Sequence, residues 1–316
     1  VEALSSVRSQ RLFWVPLGDN PLGLWFLDRP FRPGRFHPSV LAPNSVRVLS
    51  AEGIRLFLAE VDARARPHGW TGDEHFGADG ARVESWASLE SFVRQHGHKA
   101  HKLQAAKEED PGHPTLNFGG QTRSHATHRR RADPDSGWYR KAPGEEARLG
   151  LGRPVLRDNR RGLGVEFRIL DPMAEPEPEV ALQPAARVEA LPSGVRGRTA
   201  GATRPSPVSV CGGLPAVGVA PQVACKHRLR VAGWDRRTTA RSGYRFRQKL
   251  RKRVGEILGW IQTVGGWRWG RDRGRPRAEA WGDFAVAAYN VRRMARLSLA
   301  AAGLNARGER ASAAAG

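Results

Sequence analysis

Apolar positions along the chain fall into a few regular runs separated by long polar stretches. In "SAEGIRLFLAEVDARAR" (Ser50–Arg66), Ile54, Phe57, Leu58 and Val61 recur at helical spacing behind a serine suited to cap the first turn, and Pro67 with Gly69 ends the run. The pattern predicts a helix. "EHFGADGARVESW" (Glu74–Trp86) predicts a short strand through Phe76 and Ala78, a turn at Gly80 and a second extended piece. "EEARLGLGRPVLRDNRRGLGVEFRIL" (Glu145–Leu170) predicts two strands joined at Asn159–Gly162, and "VGVAPQVAC" (Val217–Cys225) another short strand.

The strongest periodicity lies further on. In "YRFRQKLRKRVGEILGWIQTVGG" (Tyr244–Gly266), Phe246, Leu250, Val254, Ile257, Leu258 and Ile261 form one apolar stripe, so a single helix is expected, ended by Gly265 and Gly266. Its other faces carry Arg245, Arg247, Lys249, Arg251, Lys252 and Arg253. A last helix is expected from about Glu279 to Ala301, with Trp281, Phe284, Ala288, Tyr289 and Val291 to pack. By contrast, His96–Asp133 reads as a long polar loop, and "GVRGRTAGATRPSPVSVCGG" (Gly194–Gly213) has neither helical nor strand periodicity. Strand, hairpin, helix, gap, strand and basic helix make a mixed α/β plan.

Composition changes the picture in one respect. The chain has 316 residues, 40% of them hydrophobic, with ten Trp, enough to bury a core. Its net charge is +21, yet residues 1–189 hold 27 Lys and Arg against 25 Asp and Glu, while residues 190–316 hold 25 against 6. Arginine-rich composition alone would raise the total. The asymmetry instead favours a C-terminal half facing nucleic acid, where basic side chains displace the counterions of a phosphate backbone.

Other chemistry is sparse. Cys211 and Cys225 make neither a disulfide framework nor a metal knuckle. His96, His98 and His101 lie close together, but no fourth ligand stands at zinc spacing, which favours a solvated loop. The apolar run Leu12–Leu27 is broken by two Pro, two Gly and an Asp, so neither a signal peptide nor a membrane span is expected, and the chain reads as cytoplasmic. Two acids stand out in the α/β plan. Asp79 ends an apolar strand ahead of Gly80, where a turn former is the commoner explanation than a metal ligand. Glu256 lies off the apolar stripe and reads, by itself, as a solvated charge among basic neighbours.

Several long blocks then agree with one family. "DEHFGADGARVESWASLESF", "ADPDSGWYRKAPGEEARL", "VLRDNRRGL", "DRRTTARSGYRFRQKLRKRVGEILGWIQTVGGWRWGRDRG" and "AVAAYNVRRMARL" resemble, in order and across most of Leu24–Leu299, successive blocks of bacterial insertion-sequence transposases of the five family. The resemblance implies an RNase H-like mixed sheet with flanking helices over residues 71–301. It leaves an irregular insertion at 87–137, a non-native-looking segment at 190–216, a remnant helical region at 1–70 and a disordered tail at 302–316.

It also implies a site of two Asp and one Glu holding Mg2+ (or Mn2+) for DNA nicking and strand joining, with DNA as partner, homo-oligomers and a place at the nucleoid. Carried over by position, the first Asp is Asp79. Aligning Leu258–Ile261 on the family's closing run puts Gly255 at the first of two adjacent acids and Glu256 at the second, while the family's following Lys is Gln262 here. DNA contacts fall on Arg245, Arg247, Lys249, Arg251, Lys252, Arg253, Arg268, Arg271 and Arg273, with Trp267 and Trp269 suited to stacking or to core packing. The region that precedes "WF" in full-length relatives, expected to help bind the element's ends, is missing from this reading.

The departure concerns the second Asp. It belongs on a strand between the hairpin and "VAPQVA", but no Asp or Glu occurs from Ala190 to Trp234. Without it the remaining acids can neither neutralise nor position two cations, so this copy is expected to be inactive. Codon arithmetic offers a cause: read one base earlier, the junctions Arg198/Thr199 and Ala202/Thr203 each permit an Asp codon, giving Ala-Asp-x-x-x-Asp-Thr, with frame restored near Gly218. Two readings follow, a transposase inactive in this copy and a non-catalytic basic nucleic-acid-binding protein.

Overall fold

The computed structural model describes residues 21–26, 50–72, 75–84, 92–94, 117–118, 121–122, 128–130, 135–139, 148–169, 198–202, 219–221, 249–250, 252–268, 270 and 273–314, with isolated positions at 4, 12–13, 28, 37, 39, 43–44 and 133. In chain order the helices are α1 (Pro21–Phe26), α2 (Ala51–Ala65), α3 (Val254–Thr263) and α4 (Arg275–Ala314). The strands are β1 (His75–Glu84), β2 (Phe92–Arg94), β3 (Asn117–Phe118), β4 (Gln121–Thr122), β5 (His128–Arg130), β6 (Gly137–Tyr139), β7 (Arg148–Asp158), β8 (Gly164–Phe167), β9 (Arg198–Ala202) and β10 (Val219–Pro221).

Six strands form one mixed sheet in the order β10-β9-β1-β7-β6, with β8 also on β7. β1 pairs antiparallel with β7, and β7 with β6 and β8. On the other side of β1, β9 and then β10 run parallel to it. The pairs β2–β5 and β3–β4 are separate small ladders, with β3, β4 and β5 inside the stretch read as loop and β2 just before it.

One face of the sheet carries the core. Val83, Val155 and Phe167 meet Val254, Ile257, Leu258 and Ile261 of α3, Trp281, Ala285, Val286 and Tyr289 of α4, and Trp267. Leu58 and Val61 of α2 enter the same cluster. α2 begins as its sequence requires: the Ser50 hydroxyl accepts the Gly53 N–H at 3.2 Å, and Gly69 closes the following turn at φ 63°. α4 reaches β8 through Gly282, where a Cβ would overlap the Phe167 ring. Gly282→Ala should therefore lower stability by about 2 kcal/mol, measured by urea denaturation, because the ring has to move within a filled core.

The structure corrects four expectations. β1 runs unbroken through Gly80, which pairs with Pro154, since an antiparallel ladder continues wherever the partner strand does. The expected single helix is interrupted: Lys249 and Leu250 are helical, Lys252 and Arg253 form a turn, and α3 begins at Val254, with the stripe buried at Val254, Ile257, Leu258 and Ile261, Leu250 half-buried and Phe246 outside the described residues. The stretch without periodicity contains β9, whose small residues pair through the backbone and need no alternation to do so. Finally, α4 continues to Ala314 through most of the expected tail, in keeping with the helix propensity of its many alanines. Among the described residues no helix is long and apolar enough to cross a membrane.

Candidate active-site face

Side chains alternate along a strand, so Gly77, Asp79 and Val83 of β1 share the face covered by α3. Gly77 is the closest approach: a Cβ there would meet Val254 Cγ2 at 2.6 Å and Asn159 Oδ1 at 2.8 Å. Asp79, half-buried, pairs across the ladder with Val155, and its Oδ1 accepts the Gly80 N–H at 3.0 Å. β9 stops at Ala202, level with Ala78, so it ends one position short of Asp79.

Glu256 is on the same side of the sheet but engaged elsewhere. Its Oε2 accepts from Arg157 Nη2 at 2.9 Å, an ion pair in which the Arg157 side chain is 2% exposed and that of Glu256 49%. Ile257 meets Gly164 of β8, and the Trp260 ring stands edge-on to Tyr289 of α4 at 5.6 Å, so that flank of α3 faces β8 and α4. At about 100° per residue, Gly255 and Gln262 fall on the opposite flank. A Cβ on Gly255 would meet nothing within 4 Å. Glu256 is exposed, as a solvated charge should be, and it is also the partner of a buried cation.

Two arginines on this face escaped the sequence reading. Arg153 and Arg157 lie on β7 either side of Val155, diagonal to Asp79. Arg153 is fully buried; its guanidinium sits 5.3 Å from the Trp267 ring centroid and Nη1 donates to the Trp267 carbonyl at 3.2 Å. Its Nε and Nη2 find no partner, and burial lowers its pKa to about 9. The signal was present in "GRPVLRD": two Arg four apart in a strand must share a face. With Val155 between them at two-residue spacing, that face is the inward one.

The family's metal fits poorly here. Among the described residues no three His, Cys, Asp or Glu come together to hold an ion. β9 consists of Arg198, Thr199, Ala200, Gly201 and Ala202 and carries no acid. The buried Arg153 guanidinium, diagonal to Asp79, also repels a divalent cation.

The expected DNA-contacting residues separate. Lys249, Lys252 and Arg253 are exposed beside the start of α3. Arg268 and Arg273 are exposed as well, but the Arg268 carbonyl accepts from the Glu84 N–H at the far end of β1. Arg245, Arg247, Arg251, Arg271, Trp269, Cys211, Cys225 and the three histidines lie outside the described residues. Trp267 is core, 1% exposed against Phe167.

No protein-family model matches the chain, and no curated protein matches it. Among solved structures, it is similar to a pre-cleavage Mos1 transpososome at 11% identity and a TM-score of 0.20, over 79% of this chain and 70% of that one, a likeness too slight to carry an argument about fold or function.

Proposed function

We propose that the chain is a DNA transposase by descent, built on an RNase H-like sheet, and that this copy does not carry out metal-dependent strand cleavage. The observation that carries the reading is the register of β9. The strand lies parallel to β1, with Thr199 to Ala202 paired to His75 to Ala78, and it ends one position short of Asp79. The two junctions at which the shifted reading frame permits an aspartate, Arg198/Thr199 and Ala202/Thr203, fall at the two ends of this strand. An out-of-frame segment that nonetheless occupies a strand slot beside β1 is what a lost second carboxylate would leave.

The sheet supports the same reading. An RNase H-type sheet joins an antiparallel meander to parallel strands laid beside its first strand, and β8-β7-β1 with β9 and β10 has that order. Glu256 argues for inactivity, since it neutralises Arg157 from the flank of α3 turned toward β8 and α4. Gly255, at the position aligned with the family's first acid, has no carboxylate. Binding of Mg2+ or Mn2+ as a pair therefore lacks its ligands in this copy.

Two measurements test this. Incubated with magnesium and DNA bearing the element's ends, the purified protein should nick nothing above background, and Asp79→Ala should change nothing; nicking abolished by Asp79→Ala would overturn the inactivity. The gene's DNA tests the descent: a base other than G before the AC dinucleotides at Arg198/Thr199 and Ala202/Thr203 sinks the frame-shifted reading. The exposed basic groups beside α3 favour the second reading, nucleic-acid binding without catalysis, and the two are compatible.

A further inference from the structure

The turn between β7 and β8 brings together charges that are far apart in sequence. Asp158, 1% exposed, accepts the backbone N–H groups of Arg160, Arg161 and Gly162 at 3.1, 2.6 and 3.4 Å. Gly162 takes φ 87°, and a Cβ there would overlap the Arg157 guanidinium. A buried carboxylate and a positive φ thus fix the turn, and the Arg160 and Arg161 side chains are left exposed at its tip.

Both flanking helices bring more charge to this tip. Arg293 of α4 donates from Nε to the Arg161 carbonyl at 2.9 Å, and Asn290 holds Gly164 through two hydrogen bonds at 2.7 and 2.8 Å. Arg292 and Arg296 lie beside Arg293 on the helix, Arg296 exposed and Arg292 half-buried. On the other side, Asn159 and Val254 both abut Gly77, which brings the exposed Lys252 and Arg253 up to the same turn. Among the described residues, the acids beside this turn are already engaged, Asp158 by the turn and Glu256 by Arg157.

We infer that the β7–β8 turn, the start of α3 and the middle of α4 form one surface for the phosphate backbone of duplex DNA, centred on Arg160, Arg161, Arg253 and Arg293. Six of the seven cations are arginines, whose planar fork suits phosphate, and three separate elements hold them on a fixed scaffold. The surface sits at the opposite end of β1 from Arg268, so it differs from a single basic helix tracking DNA along its length. It deepens the reading of this chain as a DNA-handling protein and is independent of any metal.

The test is anisotropy of a labelled random-sequence DNA duplex in EDTA across a salt series. Arg160→Gln with Arg161→Gln and Arg253→Gln should weaken binding at least tenfold at about 0.1 M salt and reduce the slope of log K against log salt by about 2 to 3, near 0.9 per lost phosphate contact. The corresponding lysine triple should keep most of the slope, which separates charge from fold. Arg268→Gln with Arg273→Gln is the comparison: it should weaken binding less than the Arg160, Arg161 and Arg253 triple, and equal losses from both ends would overturn the proposal. So would a triple variant that loses binding to phosphatidylserine vesicles or to an RNA hairpin while duplex binding stays unchanged. A wild-type protein that ignores the duplex would also overturn it, leaving the descent to be judged by the gene's DNA and the nicking assay.

Discussion

Replacing Glu256 with alanine should destabilise the protein by about 3 kcal/mol and alter no metal-dependent property. Arg157 is 2% exposed, its Nη1 has no hydrogen-bond partner, and its Nε donates to the Gly162 carbonyl at 3.1 Å. Removing the Glu256 carboxylate takes the ion-pair partner from a buried guanidinium, and breaking a buried pair on one side costs more than the pair contributes. The cost is set at the lower end of the range for buried pairs because the Glu256 side chain is half exposed. Urea denaturation measures it. Arg157→Met combined with Glu256→Ala should recover most of the loss, since an apolar side chain of similar length needs no partner there. A melting temperature raised by millimolar manganese in the wild type, but not in Glu256→Ala, would make Glu256 a metal ligand instead.

That result would also separate what sequence can and cannot reveal about this face. The cap at Ser50, the hairpin turn at Asn159–Gly162 and the stripe Val254–Ile261 were legible because each rests on local chemistry: a hydroxyl for a free N–H, a glycine at positive φ, a repeat of 3.6. β9 was not legible. "RTAGA" carries no alternation, and its strand character comes from the ladder offered by β1 and β10. Gly80 misled for the converse reason, as a turn residue held extended opposite Pro154.

The contacts of the two candidate acids were not legible in the sequence. Asp79 and Glu256 do share one side of the sheet, but nothing in the spacing of either acid announces that Arg157, about a hundred residues before Glu256, reaches it across the core. Arginine is normally read as a surface residue, and only the period of two in β7 turns Arg153 and Arg157 inward. The same limit applied to the basic segment. Sequence grouped Lys252, Arg253, Arg268 and Arg273 in one run, whereas α3 and the return through Trp267 carry the last two toward the far end of β1.

Asp283→Asn should raise stability at pH 8 by up to about 4 kcal/mol and remove most of the decline in stability between pH 4 and 8. Asp283 is 4% exposed on α4, where that helix meets α2 and β8. Burial, and then the neighbouring Glu279, push its carboxyl up to about 7, while Arg55 at 3.9 Å and Arg168 pull it back and Glu166 adds to the rise. Glu279 takes the better contacts, with Arg55 at 2.8 Å and Arg168 at 3.1 Å, and Glu166 takes Arg168 at 2.9 Å. Three carboxylates thus share two cations.

The sign follows from proton counting. An unfolded chain releases this proton near 3.8, whereas the folded protein holds it to about 7. Between those values the folded state binds more protons, so the stabilisation is complete below about pH 4 and is lost as pH rises through 7. About three pKa units at roughly 1.4 kcal/mol each set the ceiling. Asparagine keeps the shape and cannot ionise, so the junction of α2 with α4 should become indifferent to pH. Thermal melts of both proteins from pH 5 to 8 decide the matter, and an Asp283→Asn curve parallel to the wild type would place the titrating group elsewhere.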